Sequence, residues 1–130
     1  MKILIGALLF FGFLLPGQSD AADFQISFKW LKTSTSTGGY PDTEKNPRFE
    51  LKNVPSGTTV IHFQMSDQDA DYYHGGGSAA YTGQSAIESG AFKYEGPCPP
   101  DTHTYVWTAK AKDADGNTLG RAKAKRKFPE

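Results

Sequence analysis

Two stretches of the sequence concentrate side chains that can bind a small polar molecule. In the first, the proline-rich segment 94–100 leads directly into a segment in which His103, Tyr105 and Trp107 occupy alternate positions. Because side chains of a β-strand alternate between its two faces, these three rings are predicted to share one face beside a stiff loop. An imidazole and a phenol on one wall supply the hydrogen-bond donors that a small anion or another polar ligand requires.

The second stretch begins with the acidic segment 67–70 and continues to a histidine, His74, which three glycines follow. The Asp67 carboxylate can hold an imidazole in one tautomer and raise its basicity, and the glycines can present backbone N–H groups to an anion. Each residue also has a purely structural interpretation. His103 can be a packed histidine of a sheet, and Asp67 can form a turn through its own side chain.

The segments that would position these residues are β-strands, because apolar and polar residues alternate along most of the chain. The alternating segments are 24–30, 48–51, 60–65, 92–94, 102–112 and 119–128. The last two flank an Asp-Gly pair, which predicts a long hairpin, whereas 33–40 and the glycine-rich segment 67–80 are predicted to be loops. The sequence therefore predicts an all-β protein, either a sandwich or a barrel.

The N-terminus has the pattern of an export signal. A short basic start precedes an apolar run over 3–16, and Ser19 and Ala21 provide the small residues of a cleavage site. The run is shorter than the roughly 20 apolar residues of a membrane-spanning helix, so the chain is not expected to span a membrane. Residues 1–21 are predicted to form a signal helix that is cleaved after Ala21. Residues 22–130 are then a single domain in the periplasm or outside the cell.

Charge and cysteine content narrow the possible partners. The sequence contains 14 basic and 14 acidic residues, and this balance argues against a nucleic-acid partner, whose binding usually requires a strongly basic protein. The single cysteine, Cys98, cannot form an internal disulfide. It is a reactive thiol, the site of an intermolecular bridge, or simply a small residue between prolines.

Lysines occupy alternate positions on both strands of the predicted hairpin, so each strand has one basic face. They are Lys110 and Lys112 on the first strand, and Lys123, Lys125 and Lys127 on the second. Like charges that face each other across strands are mildly destabilising. Two interpretations remain open. One is a basic ribbon that meets an anionic surface, such as phospholipid headgroups or a polyanion. The other is a solvated edge whose lysines discourage aggregation.

Three groups of motifs occur along the chain in a fixed order. They are Asn46-Pro47-x-Phe49 with Val54-Pro55-x-Gly57-Thr58, then Asp67-x-Asp69-Ala70, and then Tyr94-x-Gly96-x-x-Pro99-Pro100 with His103-x-Tyr105-x-Trp107. In order and spacing they resemble the phosphatidylethanolamine-binding protein family, also called the Raf kinase inhibitor protein family, over about residues 24–112. The resemblance implies an antiparallel β-sandwich, here a short exported member of bacterial type. It also implies a small pocket that accepts phosphate, acetate or a phospholipid headgroup.

Matched position by position, the resemblance implies six ligand-binding residues: an aspartate, two histidines, a tyrosine and two loop residues. They are Asp67, His74, His103, Tyr105, Tyr94 and Gly96. The chain departs from the family pattern where Thr104 replaces an arginine, and where Gln68 and Asp71 replace two prolines. Many members also continue into a C-terminal helix beyond the point at which this chain ends. These departures imply a truncated subfamily with a more open pocket.

These features predict a non-catalytic protein that binds a small anion or phospho-group without a cofactor or a metal. The alternative is a protein-interaction module, or an inhibitor of an exported enzyme, that acts through its loops. Catalysis is not expected. His74 and its glycines resemble an esterase oxyanion segment, but the chain lacks the Gly-x-Ser-x-Gly elbow and the α/β alternation that such enzymes need. No pair of histidine or cysteine residues has the spacing of a zinc site.

Overall fold

The regular structure is entirely β in the computed structural model, which describes residues 22–32 and 39–130. The strands are β1 (Gln25–Phe28), β2 (Thr43–Lys45), β3 (Phe49–Lys52), β4 (Val60–Asp67), β5 (Tyr73–Ala80), β6 (Ala86–Ile87), β7 (Lys93–Glu95), β8 (His103–Lys112) and β9 (Thr118–Phe128). The expected signal helix over 1–21 and most of the expected loop over 33–40 lie outside the described residues. Within the described ranges, no helix is long and apolar enough to cross a membrane.

The strands form an antiparallel β-sandwich, as the sequence and its family resemblance predict. The largest sheet has four strands in the order β5-β4-β8-β9. A three-stranded sheet, β1-β3-β6, packs across the core from it, and β2 and β7 form a separate antiparallel pair. The long strands of the four-stranded sheet carry most of the residues with candidate chemistry.

The core lies between the sheets because alternate residues of the long strands are apolar. In β4, Ile61, Phe63 and Met65 are fully buried, and the residues between them are at least partly exposed. Phe49 of β3 stacks on Phe63 with 4.4 Å between ring centroids, and it meets Trp107 of β8 edge-on at 5.1 Å. Burial of a side chain of this size stabilises a fold by about 1.5–3 kcal/mol, so this cluster holds the two sheets together.

The prediction of a loop over 67–80 is wrong, because β5 occupies its second half. A Cβ atom at Gly76 would lie 1.8 Å from the carbonyl oxygen of Phe63, and one at Gly77 would lie 2.5 Å from Cβ of Phe92. The strand therefore uses glycine where other parts of the fold approach its backbone. It lacks the alternating apolar residues by which a strand is recognised in a sequence. It brings His74 beside the end of β4.

The predicted hairpin is confirmed, since β8 and β9 pair around the turn 113–117. Oδ1 of Asp113 closes this turn by accepting hydrogen bonds from the backbone N–H groups of Asp115 and Asn117, at 3.0 and 2.8 Å. The alternation along β8 directs the face of His103, Tyr105 and Trp107 toward the core. The lysines of the hairpin consequently occupy the opposite, solvent-exposed face of the sheet.

Candidate functional site

A small pocket opens at one end of the four-stranded sheet, where β4 ends at Asp67 and β8 begins at His103. Its volume is about 180 Å³, below the roughly 300 Å³ at which pockets for drug-sized ligands begin. Three prolines and several polar or ionisable side chains line it; the latter are Asp67, Tyr72, His74, Cys98, His103 and Tyr105. We call it the histidine pocket.

Asp67 fixes the orientation and the tautomer of His103. Nδ1 of His103 lies 2.6 Å from Oδ2 of Asp67, while Oδ1 of the same carboxylate accepts a hydrogen bond of 2.8 Å from the backbone N–H of Asp69. Because a carboxylate only accepts hydrogen bonds, Nδ1 of His103 carries a proton, and Nε2 is the nitrogen that remains for a ligand. This geometry agrees with the tautomer-holding role expected for Asp67.

His74 is held in the same way by the backbone. Its Nδ1 lies 2.8 Å from the carbonyl oxygen of Glu95, and a carbonyl also accepts only, so Nδ1 again carries the proton. Tyr72 packs edge-on against the imidazole with 4.7 Å between ring centroids, and Tyr105 does so at 5.3 Å. These contacts and the hydrogen bond fix the ring, so its Nε2 is held in one position.

Two neutral groups complete the wall of the pocket. Burial, and then the nearby Asp67 carboxylate, raise the pKa of the Tyr105 hydroxyl above its ordinary value. Burial also raises the pKa of the half-buried Cys98 thiol, and the neighbouring carboxylates, Asp67 first, raise it further. Both groups therefore keep their protons near neutral pH and add no charge to the pocket wall, and the Tyr105 hydroxyl is already hydrogen-bonded to Asp67 and to the backbone of Cys98.

Hydrogen bonds tie the loops around the pocket to the sheet. The backbone N–H of Gln68 donates to the carbonyl oxygen of Thr104 at 2.8 Å, and the N–H of Thr104 donates to the Asp69 carboxylate at 2.7 Å. On the other side, the N–H of Gly39 donates to the carbonyl oxygen of Cys98 at 3.1 Å. The prolines beside Cys98 fix their own φ angles, so the walls are largely formed before any ligand arrives.

The structure brings four of the six expected site residues into one pocket and separates the other two. The four that line it are Asp67, His74, His103 and Tyr105. Tyr94 and Gly96 do not. The indole of Trp107, expected on the same wall, lies in the core, where it is fully buried.

Tyr94 and Gly96 lie behind the pocket wall, next to a buried acid. Tyr94 packs against Trp107 with 4.9 Å between ring centroids and pairs with Glu44 across β2 and β7. A Cβ atom at Gly96 would lie 2.8 Å from the Glu44 carboxyl. Among the residues that the structure describes, Oε2 of Glu44 has no hydrogen-bond partner although it is buried. Burial, together with Asp42, raises the pKa of this carboxyl to about 7.

Tyr72 and Cys98 line the pocket, although the sequence does not identify them as site residues. Tyr72 donates a hydrogen bond from its hydroxyl to the Glu95 carboxylate and covers His74. Its loop has no residue pattern that predicts this contact. Cys98 has one signal in the sequence, its place within the stiff segment 94–100, but its partners across the pocket come from distant parts of the chain.

The surroundings of the pocket are acidic. Each of the following carboxylates is a sequence neighbour of a lining residue or is bonded to one: Asp42, Asp69, Asp71, Glu95 and Asp101. No lysine or arginine among the described residues lines the pocket. Positive charge can therefore come only from protonation of its imidazoles. Within the same residues, no group of three or more histidine, cysteine or acidic side chains is placed to hold a metal ion.

No protein-family model and no curated protein sequence matches the chain. Solved structures match its fold. One is a candidate phosphatidylethanolamine-binding protein homologue from Chlamydia trachomatis, with a TM-score of 0.59 and 16% identity over 83% of this chain and 98% of that chain. Another is YbcL of Escherichia coli, described as a new member of the mammalian family of that name, with a TM-score of 0.58 and 16% identity over 82% and 98% of the two chains. The chain therefore has the fold of the phosphatidylethanolamine-binding proteins, as its motifs predict.

Proposed function

We propose that the chain is an exported, non-catalytic binding protein of the phosphatidylethanolamine-binding type, and that the histidine pocket accepts a small anion or phospho-group. The observation that carries this proposal is the pair of imidazoles, each with Nδ1 bonded to an acceptor. Each ring leaves Nε2 for a ligand, and two such nitrogens in one small pocket suit an oxyanion. The signal pattern of residues 1–21 supports export.

The same geometry makes binding depend on protons. Because Nδ1–H of each ring is already bonded, an imidazole can donate a hydrogen bond to an anion only when Nε2 is protonated as well. The protein should therefore take up protons when it binds an anion, and binding should strengthen as the pH falls through the range in which histidine is protonated.

A non-catalytic role agrees with the state of the candidate nucleophile. A reactive cysteine needs a lowered pKa, usually from a neighbouring cation. The pKa of Cys98 is raised instead, by burial and by the carboxylates around it. The pocket thus supplies binding groups without an activated attacking group.

The test is an NMR titration of the imidazole signals with phosphate and with phosphoethanolamine, combined with calorimetry in two buffers of different ionisation enthalpy. We expect saturable shifts of His74 and His103 together with proton uptake. His103→Ala should lower the affinity by at least about tenfold, while His62→Ala, which removes the third histidine on the opposite face of the sheet, should not change it. Unchanged binding in His103→Ala, or no shift at millimolar ligand, would refute the pocket assignment.

A second candidate, a protein-interaction module, is favoured by exposed aromatic residues at the same end of the molecule. The exposed fractions of Tyr40, Tyr72 and Tyr73 are 82%, 43% and 58%, and exposed tyrosines are frequent in protein interfaces. For this function, Tyr72→Ala and Tyr73→Ala should weaken partner capture and His103→Ala should not. The opposite ranking would favour the small-ligand pocket.

A further inference from the structure

The outer face of the four-stranded sheet carries six cations and, in the described residues, no carboxylate. Lys110 and Lys112 stand on β8, and Arg121, Lys123, Lys125 and Lys127 stand on β9. The outward positions of β4 and β5 beside them are neutral residues, including His62. We call the six residues the cationic face. A charged surface of one sign on a chain whose total charge is zero calls for an explanation.

Among the described residues, no cation of this face forms an ion pair. The ion pairs in this part of the chain involve Arg48, His103 and Arg126 instead. Lys110 even stands directly opposite Arg121, an arrangement that costs stability.

The positive charge of this face affects the pKa of a neighbouring histidine, His62. The pKa of His62 is lowered by burial and then by Lys112 and Lys110. The face is thus arranged to attract an anion rather than to stabilise the fold.

Protection of a sheet edge does not account for the whole arrangement. Lysines on an edge strand discourage pairing with other chains, and β9 is the edge of its sheet. Lys110 and Lys112, however, stand on β8, which is paired on both sides, with β4 and with β9. The edge itself is also partly covered, since the indole of Trp30 donates a hydrogen bond of 2.8 Å to the carbonyl oxygen of Lys127.

The shape and chemistry of the face point to a planar partner. Five of its six cations are lysines, which act as hydrated point charges, whereas arginine is favoured for bidentate contact with individual phosphates. The outward positions of β8 and β9 hold no aromatic ring on which a base can stack. One exposed tyrosine, Tyr73, lies beyond them on β5, and such a ring suits the boundary between water and lipid.

We propose that the cationic face docks the protein on an anionic lipid surface. The register of the hairpin then gives the docked protein an orientation. Lys127 pairs with Thr104, the residue next to His103, so the face extends to the rim of the histidine pocket. A protein lying flat on lipid through these cations keeps this end of the sheet close to the lipid, with the histidine pocket on the side of the sheet that faces away from it. The proposal concerns a different surface from the pocket and does not depend on what the pocket binds.

Co-sedimentation with vesicles tests this docking. The purified protein is mixed with vesicles of equal parts phosphatidylcholine and phosphatidylglycerol, or of phosphatidylcholine alone. We expect binding to the anionic vesicles that is lost near 1 M salt, where the screening length falls to about 3 Å. A lysine near an anionic membrane contributes about fivefold to partitioning. Neutralising three of them with Lys123→Gln, Lys125→Gln and Lys127→Gln should therefore lower binding about 100-fold.

The matched control neutralises three exposed lysines elsewhere, with Lys45→Gln, Lys52→Gln and Lys93→Gln, and should lower binding less than about threefold. Thermal unfolding checks that both triple variants fold. A second readout is the imidazole of His62, whose pKa should rise in the presence of anionic bicelles. Equal losses in the two triple variants, no binding to anionic vesicles, or preferred binding to a linear polyanion such as heparin or RNA would each overturn the proposal.

Discussion

The two sides of the four-stranded sheet carry charged groups of opposite sign. On the inner side, at the histidine pocket, both imidazoles are bonded to acceptors and the surroundings are acidic. On the outer side, six cations stand together without ion-pair partners among the described residues. The chain as a whole is neutral. The net charge of the chain therefore does not show that one of its surfaces is acidic and another is basic.

The difference also separates two kinds of recognition. A small pocket with fixed side chains selects a ligand by size and hydrogen bonding, and its partly buried charges are only weakly screened by salt. A broad exposed face selects by sign of charge and loses its attraction when salt is added. A salt titration should consequently weaken binding at the face long before it weakens binding in the pocket.

The substitution with the largest expected effect should disrupt the histidine pocket and the cationic face together, because both belong to the same sheet. Gly76→Ala places a Cβ atom 1.8 Å from the Phe63 carbonyl oxygen, so β4 and β5 must separate. We expect a loss of about 3 kcal/mol or more in the free energy of unfolding, measured by urea denaturation. In the control, Gly75→Ala, the added atom meets nothing within 4 Å, but φ is +80°, which costs about 1–2 kcal/mol. Equal losses would show that the contact with Phe63 is not the cause.

A change confined to the pocket should separate the two surfaces. Asp67→Ala leaves Nδ1–H of His103 and the backbone N–H of Asp69 without their acceptor, which should lower the free energy of unfolding by about 1–3 kcal/mol. The imidazole NMR signal of His103 should change, while binding to anionic vesicles should not. Asp71→Ala, which changes an exposed acid in the loop after β4, serves as control and should have almost no effect on stability. Similar losses in both variants would contradict the anchoring role of Asp67.

The buried acid behind the pocket should make stability depend on pH. The pKa of Glu44 in the fold is about 7, against an ordinary value of 4.5, so the folded chain favours the protonated carboxyl. This contribution is fully present below about pH 4.5 and is lost as the pH rises through 7. Glu44→Gln should therefore leave stability unchanged at pH 4 and raise it by roughly 1 kcal/mol at pH 8, allowing for solvent screening. Thermal unfolding across this range measures the difference, and an equal change at both pH values would exclude ionisation of Glu44 as its cause.

The smallest expected effect concerns repulsion within the cationic face. Lys110→Gln removes one member of the like-charged pair with Arg121 and should stabilise the fold by about 0.3 kcal/mol at low salt. The gain should disappear at high salt, where the charges are screened. Lys52→Gln, on β3, where the cross-strand partner is the neutral Gln25, should show no such salt-dependent gain. Chemical denaturation with urea at two salt concentrations distinguishes the cases, and a gain that persists at high salt would point to helpful packing by glutamine instead.

The sequence predicted the strands whose inner positions are apolar, such as β4, because apolar residues at every second position indicate which side of a strand is buried. It did not predict β5, since Gly76 and Gly77 are required by neighbouring groups that come from distant parts of the chain. It also did not predict β2 or β6, which are only 3 and 2 residues long.

For the site, the match to family motifs identified Asp67, His74, His103 and Tyr105, which meet in the pocket. It did not distinguish them from Tyr94 and Gly96, because a motif records the order of residues and not which side of a wall each residue faces. Tyr72 reaches the pocket through its contacts with His74 and Glu95. A contact of this kind leaves no local pattern in a sequence.

The placement of Cys98 gives the protein a built-in reporter. It is the only cysteine of the chain, and it stands on the pocket wall, partly accessible and with a raised pKa. A thiol reagent such as iodoacetamide reacts with the thiolate, so labelling should be slow at neutral pH and faster in alkali. A pocket occupant would shield the sulfur in addition. The natural chain can therefore be surveyed for ligands by the protection they give against alkylation, with no engineered label and with candidate molecules of any chemical class.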